Sequence, residues 1–407
     1  MIQLPLFEDE AKLSPDKQRG SISRNGTREA VSRYSDLRVR LDHNPFNQNW
    51  FDIDTLAAAP NATSLNFLDL FSGGGGLSWG FKQADFSKIF SVEIDKDASS
   101  TIKRNFPESI HFEGRIEDVS NYFLDTVIGE RTVQVICGGP PCQGFSVAGL
   151  RDPNDPRNQL FRQFIRIVQY VQPMFVVLEN VPGILTIQDG TVYSEIIRQF
   201  DEIGYPGMSV RILEAAEYGV PQLRTRAIFV GNRLGLENPY PRKQRDKTQY
   251  LAIEAAIDDL KDVPRDASIN HEWTDHSPHF EERLSHVPPG GSLYSNFRDA
   301  FKRQYRGLPA MTIKENHGGV HIHYEKNRVL SAREMARLQT FPDNYIFAGT
   351  MKRAYWQIGN AVPCLLAKNI GTAIRVAIEA NNKPKLETTT LKSVTSQESI
   401  MVFTPLL

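Results

Sequence analysis

The sequence predicts an α/β fold, in which a doubly wound, mostly parallel sheet is accompanied by a second, smaller region. Between residues 65 and 231, apolar runs of strand length alternate with helical segments, a pattern typical of a parallel sheet with helices on both faces. The alternation stops after Gly231 and returns near residue 331, which indicates a separate second region. A run of glycines directly follows the first apolar run, as expected where a ligand binds at the carboxyl edge of a sheet.

The strands and helices follow from local patterning. Apolar residues recur on one helical face between residues 158 and 171. Further helices are predicted over residues 191–200, 250–260, 331–341 and 364–380. Runs of strand length and apolar character predict buried strands over residues 65–71, 88–94, 133–139, 175–181 and 226–231.

The composition of the 407-residue chain is that of an ordinary soluble globular protein with room for two or three domains. Its net charge of −1 argues against coating of nucleic acid through bulk charge. Residues 297–353 nevertheless carry eleven Lys and Arg against five Asp and Glu, which leaves room for a local basic face. Three cysteines without disulfide spacing indicate a reducing compartment, so a cytoplasmic protein is expected.

We expect five segments along the chain. They are a flexible, polar N-terminal arm (1–62), the first domain (63–231), a smaller region rich in Pro, His and Arg (232–310), a return to the first domain (311–380) and a disordered tail (381–407). No apolar run approaches the roughly 18 residues of a membrane span, and residues 1–10 are too short and acidic for a signal peptide. No membrane association is therefore expected.

The stretch FLDLFSGGGGLSWGF (67–81) is typical of a strand that enters a helix through a glycine turn. It lacks the Gly-Lys-Ser/Thr ending of a phosphate loop, and Ser78 occupies the third glycine position of the dinucleotide pattern after Gly73 and Gly75. Glu93 ends the next strand, 20 residues after Gly73, where an acid accepts hydrogen bonds from ribose hydroxyls. The pattern predicts a ribose-containing cofactor without a pyrophosphate, most commonly S-adenosylmethionine; the alternative is a mere tight turn.

Cys142 lies in the stretch VICGGPPCQGFSVAGL (135–150), behind two prolines at the end of an apolar strand. Proline fixes φ and glycine tolerates unusual values, so the cysteine is expected on a stiff loop at the carboxyl edge of the sheet. The alternative is a small, buried, unreactive cysteine.

Two further stretches place charged residues at strand ends. Glu179 ends the strand that should neighbour the strand before Cys142, and a buried carboxylate there needs a partner. Arg224 and Arg226 alternate onto one face of a strand that enters the core, where paired guanidiniums usually bind an anion or a carbonyl oxygen. The alternatives are a structural acid bonded to backbone amides and ordinary surface ion pairs.

Taken together, these stretches resemble the DNA cytosine-5 methyltransferase family. The resemblance covers about residues 66–231 and 331–363, and several motifs in the family's order are more specific than any one alone. The motifs are DLFSGGGGL, the acid in VEID, PPCQGFS, ENV, QLRTR, REMARLQTFPD and QIGNAVP.

The resemblance implies a Rossmann-like, S-adenosylmethionine-dependent domain with Cys142 as nucleophile and Glu179 in contact with nitrogen 3 of the base. Arg224 and Arg226 would lie at the base and the catalytic loop. The family usually has an Asp where this chain has Arg115, so Glu117 or Asp118 replaces it, or packing alone holds the adenine. The cofactor-binding residues implied are Phe71, Gly73, Gly75, Glu93, Ile94, Ile116, Pro141, Leu160, Asn360 and Val362.

The implied function is methylation of carbon 5 of cytosine in a specific duplex DNA sequence, through a covalent Cys142 adduct on a flipped-out base. Residues 232–310 would recognise the target, and the enzyme would serve a restriction-modification system as a monomer. The alternatives are the same chemistry on RNA, or a catalytically silent DNA-binding regulator, against which the intact Cys142, Glu179 and Arg226 argue. The histidine-rich stretch 317–323 lacks nearby ligands at convincing spacing, so no metal is expected.

The peptide QLPLF (Gln3–Phe7) resembles the pentapeptide by which many bacterial proteins dock on the replicative sliding clamp. Leu6 and Phe7 could fill an apolar pocket beside a polar anchor at Gln3. The alternative is an ordinary apolar start that packs on the domain.

Overall fold

The structure is a computed structural model that describes residues 65–141, 159–296, 300–314 and 321–382. Cys142, the Gln3–Phe7 peptide, the predicted arm and residues 383–407 lie outside the described residues. The helix predicted at the end of the chain extends to Asn382, two residues into the predicted tail.

The described residues contain a seven-stranded sheet with the strand order β3-β2-β1-β4-β5-β7-β6. All neighbouring strands run parallel except β7, which is antiparallel to both β5 and β6. The strand order reverses between β1 and β4, where the carboxyl ends of an open α/β sheet form a ligand-binding crevice. The strands are β1 (Leu65–Leu70), β2 (Phe86–Glu93), β3 (Ile110–Glu113), β4 (Val135–Gly138), β5 (Phe175–Asn180), β6 (Ser209–Glu214) and β7 (Thr225–Asn232).

This architecture confirms the predicted doubly wound, mostly parallel α/β fold. The five strands predicted from apolar runs are β1, β2, β4, β5 and β7, with ends that differ by at most two residues. Sequence patterning missed β3 and β6, the two edge strands. Both are largely exposed or half-buried, and because an edge strand faces solvent it lacks the continuous apolar run of a central strand.

Helices cover both faces of the sheet. The α-helices of the described residues are α1 (Gly76–Gln83), α2 (Lys96–Asn105), α3 (Asn121–Ile128), α4 (Gln159–Val171), α5 (Thr191–Glu202), α6 (Glu254–Ile257), α7 (Pro278–Ser285), α8 (Ala332–Leu338), α9 (Met351–Asn360) and α10 (Cys364–Asn382). On one face, α3, α4 and α5 pack through residues such as Leu124, Phe164 and Ile196. On the other face, α1 and α10 pack through residues such as Phe81 and Ile370.

The predicted helix over residues 250–260 is only partly continuous, because α6 is followed by a 3-10 turn at Asp258–Leu260. Helix α8 ends earlier than predicted, at Leu338. Ser331 caps its N-terminus and exchanges hydrogen bonds with Glu334, the reciprocal arrangement of a capping box. Helices α2, α3, α7 and α9 were not predicted from the apolar pattern.

The chain after β7 contributes to three further apolar clusters, the smallest of which contains Tyr250 and Met311. Of the two larger clusters, one joins α6, α8 and α9 to Ile102 and Phe106 of the first domain. The other is a small core built from Leu284, Val287, Phe301, Ile322 and Val329. This small core takes residues from both sides of position 310, and it includes the short parallel strands β8 (Lys302–Arg303) and β9 (His321–Ile322).

One helical segment of the described chain, Met351–Asn382, is long and apolar enough by length and composition alone to cross a membrane. Of its most apolar window, 56% is buried inside the protein, as in a core helix. The segment is also interrupted between α9 and α10.

Candidate functional site

The glycine turn after β1 forms the floor of the candidate site. Phe71 immediately follows β1 with a φ of 63°, a left-handed conformation that is uncommon for a bulky residue and found where the surroundings enforce it. Gly75, with a φ of 84°, precedes α1. A side chain at Gly75 would collide with Tyr345, because its Cβ would lie 2.2 Å from the tyrosine hydroxyl. The turn therefore requires glycine for both its conformation and its packing.

Glu93 lies at the carboxyl end of β2, beside this turn. Its Oε2 accepts a hydrogen bond from the Gly73 amide at 2.8 Å, and its Oε1 accepts one from the Asp95 amide at 2.9 Å. Burial raises the pKa of Glu93, and the hydrogen bond from Gly73 works in the opposite direction. Each carboxylate oxygen keeps a second lone pair, so the fixed carboxylate can still accept hydrogen bonds from a diol.

The other residues predicted to line a cofactor fall into two groups. Ile94 is 62% exposed, and Asn360 and Pro141 are also exposed. Ile116 belongs to the core on the α3–α4 face, and Phe71 and Leu160 pack against that core. The structure thus brings Phe71, Ile116 and Leu160 to one apolar cluster, although they come from three separate segments.

Val362 reaches the glycine turn from the far end of the chain. A Cβ added to Gly76 would lie 2.1 Å from the Val362 carbonyl oxygen, and one added to Gly74 would lie 3.0 Å from the Gln357 carbonyl oxygen. The connection between α9 and α10 therefore packs directly on the turn after β1. Asn360, which ends α9, is carried to the same region.

Arg115 is paired with one of the two acids proposed to replace the missing Asp. Its guanidinium lies 2.8 Å from Glu117 Oε1, and its side chain is 59% exposed. Asp118 is exposed. Glu117 is thus paired with Arg115, whereas Asp118 faces solvent.

Glu179 and Arg226 form an ion pair across adjacent strands. Arg226 Nε donates to Glu179 Oε1 at 2.8 Å, and each side chain is 13% exposed. A Cβ at Gly139 would lie 3.0 Å from Glu179 Oε2, so the carboxylate faces the backbone that leads to Cys142. Strand β5 pairs antiparallel with β7, and Glu179 lies opposite Ile228 in that register. Because Arg226 is two residues from Ile228, it lies on the same face of β7, beside Glu179. The partner that Glu179 requires is therefore Arg226.

Asn180 is a residue of this site that sequence reasoning overlooked. Its Nδ2 donates to the Pro140 carbonyl at 3.1 Å, which ties the end of β5 to the segment immediately before Cys142. Its Oδ1 accepts from the Val181 amide at 2.9 Å. The signal was present in the ENV motif, as a polar residue at the end of an apolar strand.

Arg224 does not share the environment of Arg226. Its side chain is fully buried, and its two terminal nitrogens donate to the carbonyls of Ile313 at 2.7 Å and Gly359 at 2.8 Å. Burial, and next the charge of Arg226, lower the pKa of Arg224. Arg224 therefore ties the beginning of β7 to the 311–314 segment and to the end of α9.

A buried polar cluster that the sequence did not reveal lies under the glycine turn. The Ser78 hydroxyl donates to Asp69 Oδ2 at 2.6 Å, and Cys137 is opposite Asp69 in the pairing of β1 with β4. Burial raises the pKa of Asp69 to about 6 and lowers that of Lys88 to about 7. The Lys88 ammonium lies 3.6 Å from the centroid of the Phe106 ring. Through the Ser78–Asp69 hydrogen bond, this cluster ties β1 to helix α1, the two elements that flank the glycine turn.

Within the described ranges, no group of three or more His, Cys, Asp or Glu residues has the geometry of a metal site. His321 Nδ1 is bonded to the Gln304 side chain, and His323 Nδ1 accepts from the amides of Glu325 and Lys326. These two histidines of the 317–323 stretch are occupied by protein groups.

Comparisons with known proteins bear on the same residues. A family model described as C-5 cytosine-specific DNA methylase matches residues 65–375. The type II methyltransferase M1.HphI of Haemophilus parahaemolyticus is 39% identical over 326 residues, which cover 76% of this chain and 87% of that protein. The type II methyltransferase M.DdeI of Desulfomicrobium norvegicum is 34% identical over 370 residues, which cover 76% of this chain and 88% of that protein.

Solved structures show the same architecture. A prophage-encoded Escherichia coli protein, described as a DNA modification methyltransferase, superposes with a TM-score of 0.66 at 28% identity, over 78% of this chain and all of that one. The S. pombe Dnmt2 methyltransferase superposes with a TM-score of 0.58 at 17% identity, over 78% of this chain and 100% of that chain, a likeness of fold alone.

Proposed function

The chain belongs to the C-5 cytosine-specific DNA methylase family and is a DNA (cytosine-5)-methyltransferase of the restriction-modification type, and from this premise we propose its mechanism. It methylates cytosine within a specific duplex DNA sequence with S-adenosylmethionine, through a covalent Cys142 adduct on a flipped-out base. The observation that carries the proposal is the Glu179–Arg226 pair, which faces Gly139 three residues before Cys142.

The residues at the carboxyl edge fit S-adenosylmethionine. Glu93, fixed by two backbone amides, can accept hydrogen bonds from the ribose hydroxyls. The exposed Ile94 offers an apolar surface to the adenine, and the glycine turn lets backbone groups approach the ligand. Phe71, Ile116, Leu160, Pro141, Asn360 and Val362 complete the proposed lining. When bound, the cofactor supplies a methyl group activated by its positively charged sulfur.

Cys142 would activate the base by covalent addition. Carbon 5 of cytosine is too electron-poor to react directly with a methyl donor. Addition of the Cys142 thiolate to carbon 6 makes carbon 5 an enamine-like nucleophile, provided that nitrogen 3 receives a proton or a strong hydrogen bond. Glu179, in its protonated form, would donate that proton or hydrogen bond, and Arg226 holds the carboxyl group in place.

The bond between Cys142 and carbon 6 is then broken. After carbon 5 has gained the methyl group, a base removes the carbon-5 proton, the C5–C6 double bond re-forms and the Cys142 thiolate leaves. A cytosine stacked within a duplex cannot reach this edge of the sheet, so the nucleotide must be flipped out at a cost of a few kcal/mol.

Neither described cysteine is suited to this role. Cys137 and Cys364 are buried, and burial raises the pKa of both thiols, whereas a nucleophile must be available as the thiolate. Arg224 is a positioning residue, since its guanidinium is bonded to two backbone carbonyls instead of facing the base.

Residues 232–310, together with the small core around Phe301, constitute the proposed target-recognition region. The motifs outside this region are committed to the chemistry and the cofactor. Exchange of the region for that of a relative should change which cytosines are methylated, as read by bisulfite sequencing. Unchanged specificity in an active chimera would refute the assignment.

We further propose that the enzyme acts in the cytoplasm as a monomer and docks through Gln3–Phe7 on a sliding clamp. Because ordering an extended peptide costs free energy, the affinity should be modest, about micromolar. Replacement of Leu6 and Phe7 by Ala should abolish clamp binding without changing methylation of naked DNA. Absence of binding by the wild-type peptide would rule out the docking.

The decisive experiment tests Cys142. Cys142→Ser should lose methyl transfer but keep DNA binding, and a duplex with 5-fluorocytosine should trap the wild type covalently, because fluorine cannot leave as a proton does. Trapping at another residue, or full activity in Cys142→Ser, would contradict the mechanism. Parallel assays with transfer RNA would show whether RNA is the substrate. Absence of activity on both duplex DNA and transfer RNA would indicate a catalytically silent regulator.

A further inference from the structure

We propose that Arg166 of helix α4 is a positioning residue for the adenine subsite of the cofactor. The inference rests on the proposed use of S-adenosylmethionine. It concerns the Ile116–Asp118 turn, which holds Ile116 and the two acids next to the unusual Arg115.

The guanidinium of Arg166 connects three segments. Nη2 donates to the carbonyls of Val119 at 2.8 Å and Ile116 at 3.3 Å, at the two ends of the turn. Nη1 donates to Asn121 Oδ1 at 3.2 Å, at the beginning of α3. Nε donates to Gln163 Oε1 at 2.6 Å, one turn earlier on α4, which fixes the direction of the side chain.

The turn has few other polar contacts. It is a single 3-10 turn of three residues, closed by the hydrogen bonds Asp118 N to Arg115 O and Val119 N to Ile116 O. Such short turns leave most of their carbonyls without a partner inside the element. The Arg115–Glu117 pair is largely exposed and therefore stabilises the turn little. The carbonyl contacts of Arg166 are consequently its main polar anchor, in addition to the burial of Ile116 and Val119 in the core.

Helix α4 carries both Arg166 and a residue of the proposed cofactor lining. It begins at Gln159, 17 residues after Cys142, and its first turn carries Leu160. Leu160 and Ile116 meet in one apolar cluster. One helix therefore carries Leu160 of the proposed cofactor lining directly and holds the turn with Ile116 through Arg166.

Glu117 interacts with two arginines. It is bonded to Arg115, and Arg166 also interacts with it electrostatically. Asn121 and Gln163 are the other side chains bonded to the guanidinium.

The test compares Arg166→Gln and Arg166→Lys with Arg198→Gln. Arg198 is a matched control, an exposed arginine on α5 whose contacts are Glu195 and Glu202. Arg166→Gln should raise the KM for S-adenosylmethionine about ten- to a hundredfold, as expected for the loss of charge-assisted hydrogen bonds. The kcat at saturating cofactor and the KM for DNA should change less than about twofold, and Arg166→Lys should recover part of the loss.

A second readout isolates the adenine. Calorimetric titration with S-adenosylhomocysteine and S-inosylhomocysteine, which lacks the 6-amino group, should show that Arg166→Gln loses most of the wild-type preference for adenine. An unchanged cofactor KM and preference, or an equal loss in Arg198→Gln, would overturn the inference. A wild type that binds neither compound would instead refute the proposed cofactor.

Discussion

Replacement of Gly76 by Ala tests the contact that joins the two ends of the folded chain. Gly76 begins α1, and its φ is not in the left-handed region, so the backbone itself accepts alanine. The new Cβ would lie 2.1 Å from the Val362 carbonyl oxygen, a distance that side chains do not tolerate. The α9–α10 connection must therefore retreat from the glycine turn.

The size of the effect follows from the geometry. A Cβ contact of 3.0 Å is the practical minimum, so the two backbones must separate by about 0.9 Å. Overpacking of this kind costs about 1–3 kcal/mol, and the better helix propensity of alanine returns up to about 1 kcal/mol. We expect a net loss of about 1–2 kcal/mol, and a Tm lower by roughly 1–4 °C.

The loss of cofactor affinity should exceed what this destabilisation explains, because Val362 moves relative to Gly73 and Gly75. Calorimetric titration with S-adenosylhomocysteine at 20 °C, where the variant remains folded, measures it. Gly183→Ala is the matched control, since a Cβ there meets nothing within 4 Å and its φ is not left-handed. If Gly76→Ala keeps the wild-type Tm and affinity, the close approach of Val362 to the glycine turn is not real.

Two further perturbations test the recognition region. Arg303 is buried, and its guanidinium donates to the carbonyls of Leu284, Val287, His323 and Lys326 and to Asn327. Arg303→Lys should therefore leave several buried acceptors unpaired and lower the free energy of unfolding by several kcal/mol. Limited proteolysis should then cleave this region while cofactor binding persists, and a variant as protease-resistant as the wild type would contradict the prediction. Burial lowers the pKa of His323 to about 4, below its ordinary 6.5. The unfolded chain therefore gains a proton first, and stability is lost as the pH falls from about 6.5 to about 4. His323→Asn keeps an acceptor for the amides of Glu325 and Lys326 and should reduce this loss in urea titrations between pH 4 and 7; an unchanged pH profile would exclude His323 as a contributor.

Much of the fold could be predicted because its signals are local. A central strand such as β5 is buried on both faces and must be an apolar run, and the glycines after β1 are required by the backbone of a tight turn. The edge strands β3 and β6 escaped prediction because one side of each faces solvent or a loop, so their composition is not distinctive. The helix predicted at α6 was too long because the apolar periodicity continues into a 3-10 turn.

The candidate site divides in the same way. Sequence alone determined the doubly wound sheet, the glycine turn with Glu93 beside it, and Glu179 at the end of the strand next to the one before Cys142. Only the tertiary structure decided that Arg226 pairs with Glu179 while Arg224 binds two carbonyls, and that Val362 packs on Gly76. Alternation and turn chemistry are properties of a few consecutive residues, whereas these contacts join residues about 50 to 290 positions apart. Their partners are selected by strand register and helix packing, which depend on the whole core at once.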